Sequence, residues 1–230
     1  MFEELMKPQT IDMILKGIRE TLYMTLFSTL LGYLFGLPMG VLLTISDEGG
    51  LWPHKLLYKV LDVIVNIVRS IPFLILLIVL IPFTRFVTGK GYGPTATVVS
   101  LTVAAIPFIA RVVESSLKEV DAGVIEAAKS MGAGTFRIVW KVLLVEARTS
   151  LIVNATIVVG TILGYSAMAG TVGGGGLGDI AVRYGYYRYE VGIMIVTVVL
   201  LVLLVQIFQT IGMLIARRLD RRRTGTGAAE

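Results

Sequence analysis

The sequence predicts an all-α protein that crosses a membrane several times, and three observations lead there. Of 230 residues 55% are hydrophobic and only 16% charged, against about 25% charged in an ordinary soluble domain. Mean hydropathy is +0.82. Five apolar runs each reach the roughly 20 residues that a helix needs to cross a hydrocarbon core about 30 Å thick.

The first run covers residues 22–45. It is too long for the apolar region of a secretory signal, and Glu3, Glu4 and Asp12 interrupt the segment before it, so this helix is expected to act as its own insertion signal. The second covers residues 56–83. In its inner half Asp62, Asn66 and Arg69 fall at i, i+4 and i+7, a polar face that must point at protein or water rather than lipid. Two readings of Arg69 follow: a carboxylate-binding residue for an amino acid, or a structural partner of Asp62 or Glu114. The third run covers residues 94–113, and Pro72 and Pro107 are expected to kink the second and third helices. The fourth and fifth cover residues 151–169 and 191–216. Trp52 and the tyrosines of residues 184–189 lie beside helix ends, where amphipathic rings rest at headgroup level, although core packing explains isolated aromatics equally well.

Cytoplasmic loops carry the excess of Lys and Arg. With the N-terminus outside, Lys55, Lys59, the basic residues of loop 114–150, and Arg217, Arg218, Arg221, Arg222 and Arg223 all fall inside. Residues 1–216 therefore form one membrane unit containing the long loop 114–150, and residues 217–230 a basic cytoplasmic tail. The tail reads as a topology anchor beside anionic lipid rather than a nucleic-acid site. There is no cysteine, hence no disulfide or thiolate metal site, and the single histidine, His54, forms no metal cluster alone.

Gly173, Gly175 and Gly178 match the spacing G-x-G-x-x-G. A dinucleotide site also needs a strand before the run, a helix after it and an acidic residue about 20 positions on. Here a spanning helix precedes the run and Glu190 is too close, so nucleotide binding is rejected. The glycines suit a loop that re-enters a protein-lined cavity or packs on a second copy; a flexible surface hairpin is the plainer alternative.

Loop 114–150 reads as a helical hairpin. Asp121 is placed to cap a first helix, Gly132 and Gly134 to break it, and Thr135 to cap a second. Val124, Ala127, Ala128 and Met131 form a small apolar stripe, fit either for a partner or for the protein's own membrane helices. Glu126-Ala127-Ala128, three residues, Gly132, nine residues, Val142, one residue and Leu144 resemble the EAA motif of ABC importer permeases. Val142 stands for Ile, and Val145 for a Pro that would help set the entry angle of the fourth helix. The stretches "VNIVRSIPFLILLIVLIPFTR", "LTVAAIPFIARVVE", "KVLLVEA" and "GYSAMAGTVGGGGLGDIA" are similar to the methionine importer permeases, as is the five-helix layout over nearly the whole chain.

That resemblance implies a type I ABC importer permease fold: five transmembrane helices with a cytoplasmic coupling-helix hairpin, in the bacterial inner membrane, N-terminus outside and C-terminus cytoplasmic. It implies a homodimer, two cytoplasmic ATPase subunits that bind ATP and Mg, and an external substrate-binding protein. This chain would hold no metal or cofactor and catalyse nothing. Methionine is the implied substrate, with another amino acid or small solute as the alternative. Glu126, Ala127, Ala128, Gly132, Val142 and Leu144 would couple to the ATPase, and Ser166, Met168 and Gly170 would form a gate. Met168 fits equally as core filler. A membrane-embedded serine protease is disfavoured, because Ser166 and His54 lie toward opposite faces.

Overall fold

The computed structural model describes residues 7–219. The expected basic tail at Arg221, Arg222 and Arg223 lies outside the described residues. Among the described residues there is no strand. The chain runs through α1 (Pro8–Ser46), α2 (Lys55–Ser70), α3 (Phe73–Val79), α4 (Ile81–Thr88), α5 (Pro94–Lys118), α6 (Ala122–Ser130), α7 (Thr135–Ile138), α8 (Leu144–Glu146), α9 (Arg148–Ala169), α10 (Gly176–Ile180) and α11 (Val191–Leu219). Helices α1, α5, α9 and α11 are long and apolar enough to cross a membrane, and α2 with α3 makes a fifth unit bent by 102°. The protein is a multi-pass membrane protein whose regular structure, among the described residues, is helical throughout.

Helix α1 begins at Pro8, well before residue 22. Proline suits the first turn, where its missing N–H would have had no partner. The 39 residues span about 58 Å at 1.5 Å per residue, so α1 extends beyond the hydrocarbon core. A hydropathy window finds only the lipid-compatible part of such a helix. Its buried stripe is mostly of small residues, including Gly17, Thr21, Ser28, Gly32, Gly36 and Gly40, with Met24 and Leu43 the large exceptions. A Cβ added at Gly36 would sit 2.8 Å from the Ile106 carbonyl oxygen, and one at Gly40 would sit 2.6 Å from that of Ala110. The backbones of α1 and α5 thus meet directly, the packing that small residues permit inside a membrane.

Helix α5 is the centre of the bundle and packs on α1, α2, α3, α4 and α9. Pro107 sits inside it without ending it. Pro72 acts differently, giving a break rather than a kink. Ile71 adopts extended backbone (φ −80°, ψ 125°), as the residue before a proline prefers, and α3 then leaves in a new direction. Helix α11 packs on α9 and exposes Val198, Val199, Val202, Leu203 and Ile207, an apolar face suited to lipid.

Candidate functional site

Three places combine polar or exposed groups with a rigid frame. The first is the hairpin after α5. The Asp121 carboxylate accepts the Gly123 N–H at 2.8 Å and starts α6. Gly132 ends it at φ +79°. The Gly132 N–H donates to the Lys129 carbonyl at 2.9 Å and that of Ala133 to the Ala128 carbonyl at 3.1 Å, the paired bonds of a Schellman stop. The second helix is capped by Gly134, not by Thr135, which is its first helical residue and makes no side-chain cap bond. From there the chain winds through α7, a π-helical turn (Val139–Leu143) and α8 into α9. Ala147 keeps the run helical, with its N–H on the Leu143 carbonyl at 2.9 Å, so entry into α9 is made without the proline that Val145 replaces.

The stripe on α6 divides between two faces. Ala128 is 4% exposed and shares a core cluster with Ile138, Val139 and Leu143. Glu126 and Ala127 are exposed, as are Val124 and Met131, the last at 80%. Phe136, at 77% exposed, extends this outer face; the sequence reading did not single it out. Val142 and Leu144 are half-buried, packed against the same cluster as Ala128.

The second place is an ionic ladder at the C-terminal end of α5. Glu114 is 2% exposed. Arg111 Nη1 donates to its Oε2 at 2.7 Å, and Lys118 Nζ lies 2.8 Å from its Oε1. Each cation also reaches another element. Arg111 Nη2 donates to Asp62 Oδ1 and, at 2.9 Å, to Asn66 Oδ1 on α2, while Lys118 Nζ donates to Asp47 Oδ2 at 2.7 Å in the loop after α1. That bond holds the Asp47 carboxyl below its ordinary pKa. The ladder bears on the structural pairing expected of Arg69. Asp62 and Glu114 pair with Arg111, so Arg69 has neither as a partner. The signal was R-x-x-E-x-x-x-K over residues 111–118, which puts both cations within one helical turn of Glu114.

The third place is the turn between α9 and α11. The glycine run forms a wedge, not a free hairpin. Gly173, Gly175 and Gly176 take φ of +81°, +86° and +77°, a region open chiefly to glycine. The Gly176 N–H donates to Glu20 Oε2 at 2.8 Å and the Leu177 N–H to Thr21 Oγ1 at 2.9 Å, tying α10 to α1. The Gly174 N–H donates to the Ala169 carbonyl at 2.9 Å. Just before the wedge, Ser166 is buried and its hydroxyl donates to the Leu163 carbonyl at 2.7 Å. Gly170 is packed so tightly on α10 that an added Cβ would fall 2.9 Å from Gly178 Cα. Of these three residues only Met168, half exposed, presents a side chain outward.

Comparison with known proteins gives the context for this geometry. The family model described as "Binding-protein-dependent transport system inner membrane component" matches residues 32–225. A probable D-methionine transport system permease protein, MetI, of Vibrio cholerae serotype O1 is 49% identical over 211 residues, which is 92% of this chain and 94% of the relative. The methionine import system permease protein MetP of Bacillus subtilis is 43% identical over 222 residues, 96% of this chain and all of the relative (100%). Among solved structures, a chain of the MetNI methionine ABC transporter in inward-facing conformations aligns with a TM-score of 0.92 at 47% identity, covering 94% of this chain and 100% of its own length. A chain of an amino acid ABC transporter solved with histidines shares the fold, with a TM-score of 0.76 at 21% identity, over 91% of this chain and 95% of its own.

Proposed function

The chain belongs to the family of binding-protein-dependent transport system inner membrane components, and on that premise we propose that it is the permease subunit of an ATP-driven importer of methionine. Two copies enclose the path in the bacterial cytoplasmic membrane, with the N-terminus outside. Two cytoplasmic ATPase subunits bind ATP and Mg and dock on the hairpins, and an external binding protein delivers the substrate.

The observation that supports this best is the construction of the hairpin. Helix α6 is fixed at both ends, by the Asp121 cap and the Gly132 stop, and seated through Ala128, while Val124, Ala127 and Met131 are exposed. Such a knob can be gripped without being remodelled. Its two ends continue into α5 and α9, so displacement of the knob turns the helices that flank the path, in the manner of a rigid-body switch between inward-open and outward-open states. The two states must differ in affinity for the ATPase or the substrate, because filling the groove equally in both would shift nothing. On the outer side Met168 meets its counterpart and closes the path.

Transport tests the reading. The complex of this chain with its ATPase and binding protein, reconstituted in proteoliposomes, should accumulate methionine only with ATP and Mg inside the ATPase compartment. Uptake of a different amino acid in place of methionine would reassign the substrate, and no uptake of any would refute the assignment. Orientation is tested with single cysteines in this cysteine-free chain. Gly49→Cys and Lys129→Cys should resist an impermeant thiol reagent in intact cells, while Tyr92→Cys and Tyr187→Cys react; the reverse pattern would invert the topology.

A further inference from the structure

The break between α2 and α3 opens a cavity of about 170 Å³ lined by Val68, Arg69, Phe73, Leu76, Phe108 and Tyr165, with Ile71 and Ala104 completing the wall. Arg69 is its one charged lining residue, and the acceptors within reach on the sequence are occupied. Asp62 and Asn66 bind Arg111, and Glu114 is shared by Arg111 and Lys118. Among the described residues Arg69 makes no ion pair and no side-chain hydrogen bond. A guanidinium in a membrane span faces a water-filled cavity or a partner anion, since lipid offers it neither.

We infer that this cavity is a transit site for a free amino acid with an apolar side chain, in which Arg69 takes the carboxylate. Three features converge on that chemistry. Arg presents a planar fork that matches a carboxylate through two parallel N–H donors. At the end of α2 the Ile71 N–H still bonds the Val68 carbonyl at 3.3 Å, but Pro72 has no N–H to offer and α3 departs at 102°, and the carbonyl end of a broken membrane helix attracts a cation such as an α-ammonium. The remaining wall is apolar and aromatic. Phe73 and Tyr165 stack with centroids 4.3 Å apart, and such rings favour contact with a thioether sulfur. The volume lies below the roughly 300–1,000 Å³ of sites for drug-sized ligands, in keeping with a solute the size of one amino acid.

The inference rests on the proposed transport function and assigns its substrate a binding residue. Val68→Cys places the sole thiol of the chain in the cavity wall, and its alkylation by N-ethylmaleimide is followed in the full complex. L-Methionine should slow alkylation, methioninol, which lacks the carboxylate, should not, and Arg69→Gln should raise the half-protecting methionine concentration by about tenfold or more, the factor carried by a lost charge-assisted contact. Arg69→Lys should retain part of the protection. Equal protection by methioninol, full protection in Arg69→Gln, or protection that follows anionic lipid instead of methionine would overturn the site. Dissociation of the Arg69→Gln complex on size exclusion, with Arg69→Lys intact, would overturn it in favour of an intersubunit ion pair. Uptake by the unmodified complex is measured on the same preparation, so transport without protection condemns the site alone, and absence of any amino-acid uptake condemns the transport reading.

Discussion

Glu114→Gln is the most direct probe of the ladder that joins α1, α2 and α5. The substitution keeps the side chain's shape and one acceptor oxygen but removes the negative charge between Arg111 at 2.7 Å and Lys118 at 2.8 Å. Stripping one partner from a buried ion pair costs about 3–5 kcal/mol when the other is left unpaired. Here neither cation is abandoned, since Arg111 keeps Asp62 and Asn66 and Lys118 keeps Asp47. The expected loss is therefore lower, about 2–3 kcal/mol, close to one hydrogen bond to a charged group. For a chain of this length that corresponds to a fall in Tm of about 4–12 °C. The assay is a temperature ramp on the purified chain in detergent, read by the soluble fraction on size exclusion. Arg111→Gln and the double variant complete a cycle whose coupling energy should exceed about 0.5 kcal/mol, as expected for residues in one network. An unchanged Tm in Glu114→Gln, or strict additivity of the pair, would refute the view that Glu114 holds the ladder together.

Other outcomes follow from the same geometry. Asp47, held low by Lys118, contributes stability above its unfolded pKa, near 3.8, that is lost as pH falls through the still lower folded value; acid melting curves of Asp47→Asn should be flatter than wild type below that pH. Gly40→Val forces side-chain atoms into the Ala110 carbonyl and Val113, and overpacking of about 1–3 kcal/mol should appear as a lower melting temperature. Met131→Asp and Phe136→Asp, at exposed positions of the hairpin, should leave melting unchanged but weaken pull-down of the ATPase; undiminished capture would remove this face from the interface. Met168→Ala should raise passive substrate efflux from proteoliposomes, and a tight membrane in that variant would argue against the gate.

The sequence carried the fold well where the physics is local. Apolar length located the spanning segments, the Asp121 and Gly132 signals framed α6, and the positive φ of Gly173 and Gly175 fits the glycine run. It did less well where one element depends on another. Hydropathy placed the start of the first span at residue 22, because Lys16, Arg19 and Glu20 lower the local average although the helix continues through them to Pro8. Pairing across the bundle was invisible to spacing on α2 alone: Asp62 and Asn66 were grouped with Arg69, whereas their cation comes from α5. The same limit hid the inward turn of Ala128, whose burial depends on how the second half of the hairpin folds back. It also hid the packing of Gly170, which is set by Gly178 and Asp179 of α10.

The glycine contacts between α1 and α5 bear on where this molecule can bend. A helix seated on its neighbour through Gly32, Gly36 and Gly40 has its backbone in the other's grooves, and sliding by even part of a turn would drive Cβ atoms of α5 into carbonyl oxygens. The pair therefore behaves as one beam, stiff along its length, with the hairpin fixed to one end. A push on the hairpin is transmitted along the beam rather than absorbed in it. Compliance has to reside at the joints, and the chain provides one at Ile71 and Pro72, where helical hydrogen bonding lapses, and others at the π turns of Val139–Leu143 and Ala181–Tyr186. The first of these hinges is also the wall of the cavity that holds Arg69, so on the proposed reading the segment that yields during the stroke is the one that contacts the solute being carried.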